Sequence, residues 1–252
     1  MPQDRDLPDW TWPGGPHLNV GVYRPRLTDQ ESLVASLHAF LGLGAVLKGV
    51  GTAPAHGETF ESTRDLNMQP ISSSDELEPI LADPTQRIFQ FYTEGYFEST
   101  SVVSLSPISD EAARTDRHPV DVFFEATDFE VGSDDDRARI GDLARRLLLE
   151  LARSSEVAYG TIVGEGNWLE SPTELANENS SAWFGDFVLT NWVDAEDRDL
   201  VLAAFQGAYV EQLEFGMYVS TDECLNPRRM GLQDGWAERT ALVRQVLAKN
   251  LA

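Results

Sequence analysis

The segment that decides the fold is SDDDRARIGDLARRLLLELARSSEVAYGTIVG, from Ser133 to Gly164. In its first part, apolar residues recur at helical spacing and form one stripe, made of Ile140, Leu143, Leu147, Leu148 and Leu151. The pattern then changes to VAYGTIVG, which is typical of a strand. The segment therefore predicts a long amphipathic helix, from Asp134 to Arg153, that leads into a strand.

Asp134, Asp135 and Asp136 stand together where this helix begins, and they raise the question of a metal site. Consecutive helical residues point in different directions, and the run does not match the spacing of a calcium-binding loop. Ser133, three residues before Asp136, is a suitable N-cap, and acids in the first turn are stabilised by the helix dipole. The aspartates are therefore predicted to start the helix, with no metal bound.

Strand and helix patterns alternate over the rest of the C-terminal half. Strands are predicted in PVDVFFEA, VAYGTIVG, GDFVLTNWV and YVEQLEFGMYVS, and further helices over Ala195–Gln206 and about Gly235–Asn250. Residues 120 to 220 thus follow a β-α-β-β-α-β order, which is that of a ferredoxin-like unit. The predicted class is α/β (α+β), with antiparallel or mixed sheets and helices on one face.

The N-terminal half shows a similar order. LNVGVYRPR predicts a strand, and Thr28 with Glu31 forms a capping-box pattern before a helix that Gly42 and Gly44 end. Four predicted strands follow: AVLKGVG, a weak one over Arg64–Ile71, RIFQFYTEGYF and TSVVSLS. This predicts an arm at 1–17, an N-terminal half at 18–106 and a C-terminal half at 118–252. The similar order of elements in the two halves suggests that one half is a duplicate of the other. One continuous domain with a single sheet is the alternative.

Charge is the strongest feature of the composition. The chain has 42 acids against 19 bases, a net charge of -23, and Lys48 and Lys249 are its only lysines. Such a surface repels phosphate backbones and anionic membranes, so neither nucleic acid nor a membrane is predicted as a partner. The acid-rich, lysine-poor make-up resembles that of haloarchaeal proteins. Adaptation to high salt and recognition of a basic protein partner both remain open.

Few residues are placed for catalysis or metal binding. Cys224 is the single cysteine and has no CxxC neighbour, and the four histidines, at 17, 38, 56 and 118, show no metal-ligand spacing. The Gly42–Gly51 run follows a helix and opens a strand, unlike a phosphate-binding loop. The N-terminus lacks a signal-peptide pattern. These observations predict a cytoplasmic protein with no cofactor and no metal, and they lean against an enzyme.

The most unusual segment runs from Gly164 to Asp186 between two predicted strands. A connection of this length is often functional. It mixes acids with aromatic residues, as an interface for a basic partner requires. The alternative is that its tryptophans hold it against the sheet. The predicted binding residues are Glu165, Asn167, Trp168, Glu170, Glu174, Glu178 and Trp183.

The succession of segments after Val120 resembles a known group of proteins. It consists of ARRLLLELARSSEVAYGTIVGEG, FGDFVLTNWV and VEQLEFGMYVS, with an Asn-Pro step before the closing helix. This order is similar to that of the immunity proteins that protect bacteria against type VI secretion and polymorphic toxins. The resemblance implies a non-enzymatic inhibitor that binds a cognate toxin.

The leading hypothesis is therefore a cytoplasmic, non-catalytic protein that binds another protein, in its most specific form an immunity or inhibitor protein. A small-molecule enzyme with a cleft over the sheet, lined by His118, Glu125 or Tyr159, is the alternative. An acidic mimic of nucleic acid is a lesser one.

Overall fold

A computed structural model describes residues 17–54, 67–81, 86–94, 101–105, 119–125, 133–164, 169–177, 180, 182–221 and 235–251. The strands in these ranges are β1 His17–Tyr23, β2 Val46–Pro54, β3 Asn67–Pro70, β4 Gln86–Glu94, β5 Ser101–Leu105, β6 Val120–Glu125, β7 Tyr159–Gly164, β8 Asp186–Thr190, β9 Tyr209–Leu213 and β10 Gly216–Ser220. The helices are α1 Asp29–Gly42, α2 Leu77–Leu81, α3 Asp134–Ala152, α4 Pro172–Leu175, α5 Ala195–Ala204 and α6 Trp236–Leu251.

The described strands form one sheet, in the order β3-β2-β4-β5-β6-β1-β7-β8-β10-β9. Every neighbouring pair is antiparallel. The predicted α/β class is thereby confirmed. β1, from the N-terminal half, lies between β6 and β7 of the C-terminal half, so both halves contribute to the same sheet. The predicted boundary between residues 106 and 118 lies outside the described residues, as does the predicted arm at 1–17 except for His17, and both stay predictions.

The ferredoxin-like prediction is correct for the order along the chain and wrong for the sheet. β6, α3, β7, β8, α5 and β9 follow one another as predicted, with the one-turn helix α4 added. A ferredoxin-like sheet would place β8 between β6 and β7. That position is taken by β1, and β8 lies on the far side of β7. The order of elements cannot reveal this, because β1 comes from a distant part of the sequence and its apolar alternation of Leu18, Val20 and Val22 does not specify which strands it pairs with.

Helices cover both faces of the C-terminal strands, which corrects the prediction of helices on one face. α1 and α3 pack on one face, in a core that includes Val188 of β8. α5 and α6 pack on the other, in a second core that includes Phe187 and Leu189 of the same strand. Because successive strand residues point to opposite faces, a strand covered on both sides is buried throughout, as β8 is.

The segment YVEQLEFGMYVS, predicted as one strand, is a hairpin. β9 and β10 pair antiparallel from Tyr209 with Ser220 to Leu213 with Gly216, so the turn contains only Glu214 and Phe215. Gly216 has a φ of 152°, a backbone conformation that side-chain-bearing residues avoid. The prediction failed because Glu-Phe is not one of the dipeptides that mark two-residue turns.

The start of α3 is as predicted. The Ser133 hydroxyl accepts from the Asp136 N–H, and the Asp136 carboxylate accepts from the Ser133 N–H, which completes a capping box. The hydrogen bond from the Ser133 hydroxyl, at 2.7 Å, is the main cause that lowers the pKa of Asp136. Asp142 forms an ion pair with Arg145 at 3.2 Å, and Arg145 also reaches Glu211 on β9 at 3.0 Å.

We expect Ser133→Ala to lower the free energy of unfolding by about 1 kcal/mol, because the variant leaves an N–H of the first turn without its cap. Urea denaturation provides the measurement, and Ser155→Ala, at an exposed serine after α3, is the matched control. Equal losses in the two variants would contradict the capping role. A melting temperature that rises with micromolar calcium, and no longer does so in Asp134→Asn/Asp136→Asn, would instead support a metal site.

None of the helices in the described ranges combines the length and the apolar character that crossing a membrane requires.

Candidate functional site

The candidate site is the segment between β7 and β8, of which the structure describes residues 169–177, 180 and 182–185. Three of the predicted binding residues fall in these ranges: Glu170, Glu174 and Trp183. The other four lie outside the described residues, namely Glu165, Asn167, Trp168 and Glu178. The described part is a compact, hydrogen-bonded structure that packs on the sheet and on α6.

The centre of the segment is the one-turn helix α4. Ser171 is its N-cap and Pro172 lies in its first turn, a position that needs no N–H donor. The Ser171 N–H donates to Oε2 of Glu174 at 2.7 Å, and the Glu174 N–H donates to the Ser171 hydroxyl at 3.4 Å. This capping box fixes the Glu174 carboxylate, although the residue is exposed.

Glu170 is held from two sides. The Tyr159 hydroxyl donates to its carbonyl oxygen, and the Ser180 hydroxyl donates to its carboxylate. Tyr159 itself is fully buried, and this burial is the first cause that raises its pKa well above the usual value. The phenol is therefore neutral at physiological pH and serves as a donor that fixes the segment.

The side of α4 next to α6 is also anchored. Nε of Arg244, on α6, donates to the Leu175 carbonyl at 3.1 Å, and its Nη2 donates to the Asn177 carbonyl. Leu169 and Leu175 are buried in the same core as Phe187 and Tyr159. Hydrogen bonds and apolar burial together fix the path of the segment at both ends of α4.

Trp183 is half-buried and packs against this second core. A Cβ at Gly185 would lie 2.7 Å from its indole Nε1, so the glycine makes room for the ring. This packing agrees with the interpretation that Trp183 holds the segment against the sheet. A contribution of its exposed part to binding stays a prediction.

Sequence reasoning missed a layer of buried polar residues on the sheet face beneath Leu169. Asn19 of β1, Asp121 of β6 and Thr161 of β7 are each at most 2% exposed. Asp121 and Thr161 flank Gly21, where a Cβ would lie 2.3 Å from Oδ1 of Asp121. In the sequence, an acid between Val120 and Val122 predicts a solvent-facing position. It is buried here because the β7–β8 segment covers that face.

Of the three residues proposed to line an enzymatic cleft, the structure describes the side chain of Tyr159, which lies in the core with its hydroxyl hydrogen-bonded. His118 and the side chain of Glu125 lie outside the described residues. Within the described ranges, no three His, Cys, Asp or Glu side chains are grouped so that they could hold a metal ion.

Comparisons with known proteins give one structural likeness. No protein-family model matches the chain, and no curated protein matches it significantly. A solved structure described as the Pseudomonas aeruginosa T6SS protein PA0821 aligns with a TM-score of 0.45 and 12% identity, over 91% of this chain and 81% of that one. A TM-score of this size carries no conclusion about the fold, the partner or the activity of this chain.

Proposed function

We propose that this protein is a non-catalytic, cytoplasmic protein that binds a basic protein partner, most specifically an immunity protein that neutralises a toxin. The observation that supports this proposal is the fixed, acidic β7–β8 segment, in which internal hydrogen bonds hold the carboxylates of Glu170 and Glu174. The order of segments after Val120, which resembles that of immunity proteins, points in the same direction.

A fixed segment suits binding for an energetic reason. Ordering a flexible loop on association costs free energy, and a segment that is already anchored by Tyr159 and Arg244 avoids most of this cost. The net charge of -23 adds a second contribution, because a negative surface accelerates encounter with a basic partner. Rapid, tight association is what an inhibitor of a toxin needs.

The test is co-expression with the protein encoded by the adjacent gene in the native genome. We expect that protein to stop growth when expressed alone. Co-expression of this chain should restore growth, and a stoichiometric complex should be recovered by size-exclusion chromatography with light scattering. Restored growth without a complex, or a neighbour that is harmless, would contradict the proposal.

The contribution of the segment is tested with Glu170→Gln/Glu174→Gln. Glutamine still accepts the hydrogen bonds of the capping box and of Ser180, so the change removes charge and preserves the local structure. We expect the dissociation constant to rise about 2- to 30-fold, mainly through slower association, and the difference to shrink at high salt.

The matched control is Glu78→Gln/Glu196→Gln, which removes the same charge from exposed positions on α2 and on α5. We expect it to leave the dissociation constant within about twofold of the wild-type value, as is usual for charges outside an interface. Equal weakening by both pairs would show that only the overall charge matters, and that the segment is not the binding surface.

A further inference from the structure

The two edges of the sheet differ in how they are protected. At one edge, β3 is only four residues long and ends in Pro70, which has no N–H to offer to another strand. At the other, β9 contains neither proline nor lysine and pairs with β10 over five consecutive residues without a bulge. In the part of the chain that the structure describes, only β10 pairs with β9. β9 therefore lacks the proline that limits further pairing at β3.

The length of the β9–β10 turn determines which backbone groups of β9 point away from β10. Because the turn has two residues, the closing pair Leu213 and Gly216 must exchange hydrogen bonds, and the pairs alternate from there. The N–H and C=O groups of Val210 and Gln212 consequently point away from β10. We call this set of groups the β9 edge.

The β9 edge is held rigidly. The Asn191 N–H donates to the carbonyl of Phe215 at 2.9 Å, and its Nδ2 donates to the carbonyl of Glu214 at 3.2 Å. The turn of the hairpin is thus tied to the end of β8. A strand that is fixed before association loses little conformational entropy when another strand pairs with it.

The side chains of β9 offer an aromatic and acidic surface. Tyr209 is 47% exposed and contacts the ring of Tyr218 edge-on, at 6.4 Å between centroids. Glu211 is partly exposed beside it, where it already forms an ion pair with Arg145 at 3.0 Å, and Glu214 is exposed in the turn. A basic strand with apolar residues at alternate positions matches this surface in both charge and character.

The same charges disfavour a second copy of the chain as the occupant. Antiparallel self-pairing centred on β9 would place Glu211 opposite Glu211 of the other copy, and like charges directly opposite each other are destabilising. Each copy also carries a net charge of -23, which adds long-range repulsion. The charge complementarity therefore favours a foreign, basic strand.

We propose that the β9 edge accepts an extended, basic segment of the partner protein as an additional antiparallel strand. Main-chain hydrogen bonds to Val210 and Gln212 supply the pairing, and Glu211 and Tyr209 select basic and apolar side chains. This inference rests on the proposed function only in that the partner is a protein. It adds a second contact surface, separate from the β7–β8 segment.

The experiment titrates the full-length, isotope-labelled chain with the capped peptide Lys-Val-Lys-Val-Lys-Val-Lys at low salt and follows amide chemical shifts by NMR. We expect saturable shifts concentrated on the amides of β9 and β10, with Val210 and Gln212 the most affected. The same peptide N-methylated at alternate residues on its pairing edge is the matched control. It keeps the charge and loses the donors, and we expect at least about fivefold weaker binding.

Gln212→Pro provides the complementary change in the protein, since it removes an outward N–H that β10 does not use. We expect about fivefold or greater weakening. Gln212→Ala, which keeps the backbone donor, is the matched control and should bind the peptide about as tightly as the wild type, and amide shifts outside β9 and β10 that match the wild type in both variants would show that the fold is intact. Shifts spread evenly over the acidic surface, or equal binding of the N-methylated peptide, would overturn the proposal. Concentration-dependent dimerisation that Gln212→Pro abolishes would also overturn it, in favour of a second copy.

This outcome is independent of the toxin experiment. A chain that neutralises the neighbouring toxin without binding the peptide at β9 retains the proposed function and loses this inference. A chain that binds the peptide at β9 but protects against no toxin does the reverse.

Discussion

Gly216→Ala is expected to lower the free energy of unfolding by at least about 3 kcal/mol, which is the largest loss that we expect among the substitutions proposed for this protein. An alanine Cβ at this position would lie 2.1 Å from the carbonyl oxygen of Leu189 and 2.6 Å from Cα of Thr190. Both atoms belong to the backbone of β8, so no side chain can move aside to relieve the contact. The φ of 152° adds a conformational cost.

Gly207→Ala separates the two causes. Gly207 also has a positive φ, at 98°, but a Cβ there would meet nothing within 4 Å. We expect it to cost about 1–2 kcal/mol, which is the conformational part alone. Urea denaturation of the two variants gives the comparison. Similar losses at both positions would show that β8 and β10 can separate slightly without penalty, and would contradict the tight pairing described for them.

Arg24→Ala is expected to produce the second largest loss, about 2–4 kcal/mol. Arg24 is 2% exposed, and its Nη1 donates to the carbonyl and hydroxyl oxygens of Ser32, both at 3.0 Å, and to the Ser36 hydroxyl at 2.7 Å. Burial lowers the pKa of the guanidinium to about 10, so it remains charged at neutral pH. Alanine removes the donor that links the end of β1 to α1 and leaves a cavity where the long side chain was.

Arg24→Met tests which of these two contributions dominates. Methionine fills most of the volume without burying a charge, and the two serine hydroxyls can turn to donate to carbonyls one helical turn earlier. We expect a loss below about 1.5 kcal/mol. Arg26→Ala, at an exposed arginine that stacks over Trp192 at 4.5 Å, is the control and should cost at most about 1 kcal/mol. If Arg24→Met lowered the free energy of unfolding as much as Arg24→Ala, the hydrogen bonds of Arg24, and not the volume of its side chain, would account for the loss.

Local features of the fold could be predicted from the sequence, because they depend on neighbouring residues. The capping box at Thr28, the N-cap at Ser133 and the end of α1 near Gly42 and Gly44 were predicted from spacing alone, and the structure confirms them. Pairings between distant strands could not be predicted. Apolar alternation shows that β1 is a strand with a buried face, but several strands offer the same alternation, so the neighbours of β1 are not encoded locally.

The candidate site was predictable only in part, for a related reason. The length and composition of the β7–β8 segment indicated a functional connection. That the carboxylates of Glu170 and Glu174 accept hydrogen bonds within the segment was not predicted. Their hydrogen bonds to Ser180 and Ser171 depend on the turn that α4 makes. Asp121 was missed because its burial depends on a segment some 50 residues away, which periodicity within β6 cannot show.

The position of β1 also has a consequence for biosynthesis. β1 ends at Tyr23, but the two strands that flank it, β6 and β7, begin at Val120 and Tyr159. At about 5–20 residues per second, the ribosome needs roughly 7 to 30 s after making β1 to deliver both. Until β6 is made, β1 has no native neighbour on either side, and until β7 is made it has a neighbour on one side only. The net charge of -23 opposes association between nascent chains while the apolar side chains of β1 wait for their partners.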